Sequence, residues 1–479
     1  MKHKIALLLI LIFSFFLYTF KLSTIPSSVY VDEATVGVNA NLIMSRGVDE
    51  YGQSYPIYFR FFNAYTPGLF VYLIIPFIKI FGLNPFALRL LSAISGTISV
   101  YFFYKILSIF SKNALVGTVF YAIIPWTVFN SRLGYEVMFA ATLFNIGCYF
   151  LLKNLSKISY LGLFLISLST YASHTQRYLA PLFLFGYLII FKKIKIKPII
   201  FLLITQIPNI LMIFTNSFWI KNNNLSLKFF IYQIINYLSP KSLFFNLPDI
   251  DLQHQIPSTS VFYWWMIIPL FFGIKKLITL DKKYKKFIIL WFISSLIPAS
   301  LSGEFISIQR ALPTLFPLMI IISLGLSTNL FLNIFLFLYS LLLLFRSYFI
   351  LLPKINAQAW DYGYEQLSKI ILDTPNKKYL IDNTRNSRTY ILPLFYLNLP
   401  YQNKIQNYYS APTIPNIYSY SNLTFKSLNW VEDLSRYDFI VSDRLSISPD
   451  QAVEHKLTKI KTITTPNNTT VLDIYIINK

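Results

Sequence analysis

Four short polar stretches carry the residue types that chemistry needs, and each borders an apolar run. Residues 26–37, PSSVYVDEATVG, bring Asp32 and Glu33 together at the head of an Ala/Val-rich stretch, followed by RGVDEYG from Arg46 to Gly52. Adjacent carboxylates just beyond an apolar run are placed where a base can face a water-accessible cavity at a membrane boundary. The same pair can instead be first-turn acids that stabilise a helix by about 0.3–1 kcal/mol. Residues 130–136, NSRLGYE, set Arg132 and Glu136 between two apolar runs. That puts a cation and a carboxylate together at the membrane boundary, or makes a tight turn with a surface ion pair. Residues 173–178, SHTQRY, offer His174, Arg177 and Tyr178. A planar guanidinium suits phosphate oxygens, while a headgroup anchor with Tyr178 in an aromatic belt is the alternative. A single histidine says little about metal or acid chemistry. Glu304 and Arg310 repeat the pairing of carboxylate and arginine beside an apolar run, and Arg89 lies just inside another.

The elements that must position these groups are membrane helices. Of 479 residues, 55% are hydrophobic and only 13% charged, with a mean hydropathy of +0.53, whereas a soluble domain is roughly a quarter charged. The net charge of +22 would suggest nucleic acid in a soluble protein. Here cytoplasmic loops and lipid headgroups account for it, and no nucleic-acid partner is expected. Cys148 is the one cysteine, so neither an intramolecular disulfide nor a cysteine metal cluster can form.

Apolar runs cover 4–20, 87–110, 113–130, 137–152, 158–173, 178–191, 198–214, 261–274, 287–301, 311–326 and 329–351, about eleven spans. The first has no small-residue cleavage pattern after it and is read as a retained helix. The stretch 67–81, PGLFVYLIIPFIKIF, is short for a span and carries a proline. Lys/Arg-rich short loops stay cytoplasmic, so an even number of spans must separate the N-terminal lysines from the KKIKIK cluster at 192–197. That parity holds only if 67–81 is an amphipathic or re-entrant segment at the outer surface. It puts 21–86, 131–136, 174–177, 215–260, 302–310 and everything after about 352 outside. From Pro353 the composition turns polar. A helix over Trp360–Leu372 and strand-like runs at Tyr379–Ile381 and Phe439–Val441, each leading to an Asp, predict a small α/β domain over 353–479. The expectation is an α-helical multi-pass plasma-membrane protein over 1–352, with a cytoplasmic N-terminus and an extracytoplasmic C-terminal α/β domain.

These residues also carry a resemblance. The Asp-Glu pair, RGVDEYGQSYPIYF, TPGLFVYLIIPFIKIFGLNPFALRLLSAISG, PWTVFNSRLGYEV, QRYLAPL and QRALPTLFPL resemble the GT-C fold glycosyltransferases that use polyprenyl-phosphate sugars. The protein O-mannosyltransferase (glycosyltransferase family 39) and aminoarabinose transferase relatives are the nearest groups, over roughly residues 20–325. The resemblance implies transfer of a sugar from a polyprenyl monophosphate to a protein, lipid or cell-envelope glycan on the outer face. It maps the catalytic base onto Asp32, with Glu33 orienting the site and Glu136 assisting acceptor or sugar. Arg132, His174 and Tyr178 are further candidates for acceptor or sugar binding. Some relatives carry a Lys-Pro-Pro or His-Pro-Pro element where this chain has Ala64 to Gly68, AYTPG. The basic contact to the donor phosphate then falls to Arg177, Arg310 or Arg89.

Chemically, an acceptor hydroxyl must lose its proton as its bond to the anomeric carbon forms, and the departing phosphate must be stabilised. A single displacement with inversion is expected. No cofactor is required, although Asp32, Glu33 and Glu136 offer oxygen ligands to a divalent metal. A polymerase or ligase using pyrophosphate-linked glycans would want similar arginines. A lipid-carrier transporter or flippase would want ionisable residues near helix midpoints and paired repeats, which the sequence lacks. In the tail, Asp382, Arg385 and Arg388 could meet acceptor or carbohydrate, or simply be solvated.

Overall fold

The computed structural model describes residues 2–62, 64–153, 155, 158–214, 226–245, 252–301, 307–399 and 417–478. Ten helices lie among the described residues up to 214. α1 is Lys2–Thr19, α2 Val31–Arg46, α3 Leu69–Phe81, α4 Pro85–Leu107 and α5 Ala114–Ile123. α6 is Pro125–Asn130, α7 Val137–Lys153, α8 Tyr160–Ser169, α9 His174–Ile190 and α10 Ile196–Ile213. Between α2 and α3 runs an antiparallel hairpin, β1 (Tyr58–Phe61) and β2 (Ala64–Pro67), with Tyr58 opposite Pro67. α11 (Leu227–Leu238), α12 (Ile267–Thr279), α13 (Lys282–Ser300), α14 (Ile308–Gly325) and α15 (Leu330–Leu344) follow.

Lys2–Thr19, Pro85–Leu107 and Leu330–Ile355 are long and apolar enough to cross a membrane by length and composition. Shorter apolar helices include Ala114–Ile123, Val137–Lys153 and Tyr160–Ser169. Their outward surfaces are greasy: Leu9 is 61% exposed, Phe331 84% and Leu342 72%. Apolar surface on that scale calls for lipid as the solvent. Between helices, glycines permit close approach, as small residues do where lipid supplies no hydrophobic drive. A Cβ on Gly273 would collide with the Ile321 carbonyl, and one on Gly325 with that of Pro269.

The apolar run 113–130 is two helices, not one. Ile124 is extended (ψ 143°) before Pro125, as the residue preceding a proline tends to be. The segment 67–81 forms the 13-residue α3, about 20 Å long against a hydrocarbon core of about 30 Å. Its buried side chains, Phe70, Val71, Ile74 and Ile78, form one stripe, and α3 packs on α2 and α4.

Beyond a turn at Ala357–Trp360, helices α16 (Tyr364–Asp373) and α17 (Ile391–Tyr396) accompany a six-stranded mixed sheet. Its strands are β3 (Tyr379–Asp382), β4 (Tyr418–Tyr420), β5 (Leu423–Lys426), β6 (Phe439–Ser442), β7 (Leu457–Thr464) and β8 (Thr470–Ile477), in the order β4-β5-β3-β6-β8-β7. β3 is parallel to both β5 and β6. The helix expected from Trp360 starts only at Tyr364, because Asp361 (φ 49°) and Gly363 (φ 110°) take left-handed conformations. One face of the sheet, with Tyr379, Ile381, Phe439 and Val441, joins the same core as Val31, Ala34 and Val38 of α2 and Phe395 of α17. The loop after α1 and the C-terminal α/β unit are thus packed into one body.

Candidate active site

α2 begins at Val31, and its first turn holds both carboxylates of the Asp-Glu pair. They have different surroundings. Glu33 is fully buried and accepts two hydrogen bonds from Arg89, from Nε at 3.0 Å and Nη2 at 2.7 Å. It also accepts the backbone N–H of Gly134 at 2.5 Å and that of Tyr30 at 3.3 Å. A Cβ at Gly134 would stand 2.5 Å from Leu88 and 3.1 Å from the Glu33 carboxylate, so only glycine lets the loop come this close. Asp32 is half-buried on the same turn. Helix capping, one of the two readings of the pair, is thus seen at Glu33, which accepts the Tyr30 N–H.

Arg89 lies on α4 and is fully buried. Besides Glu33 it donates to the carbonyls of Leu22, Pro26 and Ser28. All five of its N–H donors are therefore used inside the protein. Arg132 is likewise buried, donating to the carbonyls of Leu17, Phe20 and Ile25, with its guanidinium about 5 Å from the rings of Tyr348 and Phe349. These two arginines tie the chain leaving α1 to α4 and to the 131–136 loop. Glu136 is half-buried at the end of that loop. Its neighbour Tyr135 accepts Gln309 Nε2 at 2.9 Å. Gln309, on the first turn of α14 one residue before the half-buried Arg310, also lies 3.4 Å from His254. Residues 302–306, Glu304 among them, fall outside the described residues.

His174, Arg177 and Tyr178 share the first turns of α9, under the β1–β2 hairpin. His174 Nε2 is 3.3 Å from the Thr66 hydroxyl, and Arg177 stacks over the Tyr58 ring at 4.5 Å. Tyr58 donates to Asn209 at 2.7 Å, and Asn209 donates to Thr170 and Gln206. Below this polar lid a cavity of about 370 Å³ opens between α8, α9 and α10, lined by Arg177, Leu184, Leu202, Leu203, Gln206 and Asn209. It has a charged, hydrogen-bonding rim over an apolar trough.

Asp361, which sequence reasoning passed over, accepts the backbone N–H of Val31 at 3.1 Å and so caps the turn that carries Asp32. Burial, partly offset by that bond, and the charge of Asp32 push its carboxyl up to about 7. Its only sequence signal is a carboxylate among aromatics, AWDYGY, shortly after the last apolar run. Glu50, in the RGVDEYG stretch, carries no signal in sequence that sets it apart from Asp49. It sits buried between Asn39 and Tyr390, whose hydroxyl donates to it at 3.1 Å. Burial and the adjacent Asp49 push it up to about 8.

Among the described residues no group of three His, Cys, Asp or Glu side chains could hold a metal ion. Of the three carboxylates considered for one, Glu33 is committed to Arg89. In the tail, Arg385 pairs with Asp443 at 3.1 Å, Asp382 binds Thr384, and Arg388 lies over Phe62.

No family model matches this sequence. No curated protein matches it either. Solved structures do. ArnT from Cupriavidus metallidurans in the apo state superposes with a TM-score of 0.60 at 11% identity, over 99% of this chain and 98% of that one. The same protein bound to undecaprenyl phosphate gives 0.59 at 12%, over 98% and 97%. The Archaeoglobus fulgidus oligosaccharyltransferase in complex with Zn and sulfate gives 0.51 at 12%, over 98% of this chain and 73% of that one. The chain shares the fold of these proteins, the GT-C fold.

Proposed function

We propose that this protein is a membrane glycosyltransferase that moves a sugar from a polyprenyl monophosphate to an acceptor on the outer face. The observation that supports the reading is the arginine-headed apolar groove at α9, in a chain that also carries a half-buried carboxylate, Asp32, on the first turn of α2. Its fold is shared with ArnT, which has been solved with undecaprenyl phosphate. In this reading about eleven spans put the N-terminus in the cytoplasm. Residues 1–352 form the transmembrane transferase domain, and 353–479 an extracytoplasmic α/β domain.

Asp32 receives the acceptor hydroxyl proton as the acceptor oxygen bonds to the anomeric carbon and the bond from that carbon to the phosphate oxygen breaks. The electron pair leaves with the polyprenyl phosphate, whose charge is met by Arg177, with Arg310 in support. The isoprenoid chain lies in the trough between α8, α9 and α10. Arg89, with every donor used, and Arg132 serve as positioning residues that fix the Asp32 turn. Glu136, His174 and Tyr178 face acceptor or sugar. The displacement is single and inverting, and no step is routed through a metal.

The test is transfer of radiolabelled sugar from a panel of synthetic polyprenyl-phosphate sugars into membranes holding wild type or Asp32→Asn. A general base contributes about 10²–10⁴-fold, and the Asn variant is expected to lose that much while still binding the carrier. Equal transfer by both proteins removes Asp32 from the role. Turnover of pyrophosphate-linked glycan instead of any monophosphate donor replaces the reading with a polymerase or ligase, an outcome that the shared fold with an oligosaccharyltransferase keeps open.

A further inference from the structure

The chain leaving the last long apolar helix does not simply lead to the α/β unit; it crosses the candidate site. Asn356 donates to the carbonyls of Leu252 and Gln255 at 2.6 and 2.9 Å, fixing the turn that bears His254. Trp360 is fully buried, its ring edge-on to Tyr30 and Phe129, each at 6.2 Å. Asp361 then turns left-handed (φ 49°), a conformation that costs most residues about 1–2 kcal/mol and that Asp tolerates better than most. The turn aims its carboxylate at the Val31 N–H and leaves its carbonyl to accept the Ser28 hydroxyl at 3.4 Å. Tyr396 of α17 completes the grip, with its hydroxyl 3.1 Å from that of Ser28 and accepting the Val29 N–H at 3.2 Å.

The first N–H groups of a helix have no partner within it. Here a side chain from 330 positions away satisfies one of them, one residue before the candidate base. We infer that Asp361 is a positioning residue of the transfer reaction: its carboxylate holds the first turn of α2 and, when ionised, its charge strengthens Asp32 as a base.

The inference deepens the glycosyltransferase reading and rests on it for the word base. The hold of Asp361 on the Val31 N–H, one residue before Asp32, stands on geometry alone. Asp32 is among the groups that raise the Asp361 carboxyl, and such coupling is reciprocal. An ionised Asp361 therefore raises the proton affinity of Asp32 by the same factor. Among the described residues, these other groups lie around the pair. Glu33 on α2 is neutralised by Arg89 from α4, and Tyr135 of the 131–136 loop faces both Asp32 and Glu33. Tyr396 lies on α17. Tyr364 of α16 feels the charges of Asp361, Asp443 and Asp382. Tyr30 closes the side toward Trp360.

Asp361→Asn is the decisive variant, because its amide oxygen can still accept the Val31 N–H while the charge is gone. With full-length protein in nanodiscs, kcat/KM for one polyprenyl-phosphate sugar is followed from pH 5 to 9. Below pH 6, with Asp361 protonated, wild type and Asn variant are expected to turn over equally. Above pH 8 wild type should gain several-fold from an inflection near pH 7 that the variant lacks, with KM unchanged. A residue that merely braced the turn would lower the rate by one factor at every pH, so a constant ratio overturns the inference. An infrared pH titration of the carboxyl stretch reads the pair without any turnover. A carboxyl titrating near pH 7 should vanish in Asp361→Asn and move to lower pH in Asp32→Asn. A band unmoved by Asp32→Asn overturns the coupling. If wild type transfers no sugar, the band still reports the coupling, and only the glycosyltransferase reading falls.

Discussion

Glu33 and Asp32 are consecutive in sequence and opposite in physical situation. A carboxylate with no solvent exposure is tolerable only when its lone pairs are filled, and Glu33 fills them with the Arg89 fork and the N–H groups of Gly134 and Tyr30. Removing one partner of such a pair is costly, because the other is left as an uncompensated buried charge. Glu33→Ala should therefore destabilise the protein by about 3–5 kcal/mol. Asp32→Ala, at a half-buried position, should stay within about 1 kcal/mol. Detergent-solubilised unfolding midpoints of the two variants would check this, and equal midpoints would sink the distinction between anchor and presented acid. No reading of spacing could reveal the pair, since Arg89 lies 56 positions from Glu33. A buried guanidinium and a phosphate-binding one look alike in sequence.

At the scale of elements, close packing decides where α2 sits. A Cβ on Gly37 would come within 2.8 Å of the Phe395 ring on α17 and 3.2 Å of Leu83. Gly37→Ala is expected to cost about 1–3 kcal/mol by overpacking, and Phe395→Leu in the same chain to return most of it. A double-mutant cycle on thermal midpoints would measure the coupling, and additive losses would show that the two helices do not meet as described. Hydropathy made the apolar elements legible, because lipid-facing helices must be apolar whatever they pack against. It was blind to the break at Ile124, since a proline inside an apolar run leaves the average unchanged. β3 and β6 could be read from short apolar runs buried on both faces. The hairpin β7–β8 could not, because β7 is an edge strand whose exposed Lys459 and Lys461 mask its alternation; such lysines also discourage edge-to-edge pairing. The Asp-Glu pair was legible as the start of a helix. Asp361 was not, because its role depends on a chain reversal that only the fold supplies.

Across the whole molecule, the α/β unit is joined to the loop after α1 through one core and a buried polar seam. The Tyr390 hydroxyl bridges to Glu50, Tyr390 stacks on Tyr418 with ring centroids 3.7 Å apart, and Arg60 covers the Tyr51 ring. Glu50 is the titrating member, raised by burial and by Asp49 to about 8. In the unfolded chain it would lose its proton at its ordinary value of 4.5. Below that value both states are protonated and the group is silent. Between it and about pH 8 the folded protein holds a proton that the unfolded chain has lost, so stability falls as pH rises, by up to about 1.4 kcal/mol per unit. Above pH 8 both states are ionised and the loss is complete. Glu50→Gln keeps the shape of the protonated side chain and removes the titration. Its thermal midpoint should match wild type near pH 5 and exceed it by several degrees at pH 9. Asp361 titrates in the same direction in both proteins, so the difference between the two curves isolates Glu50. Parallel curves would mean that the seam carries no proton across this range.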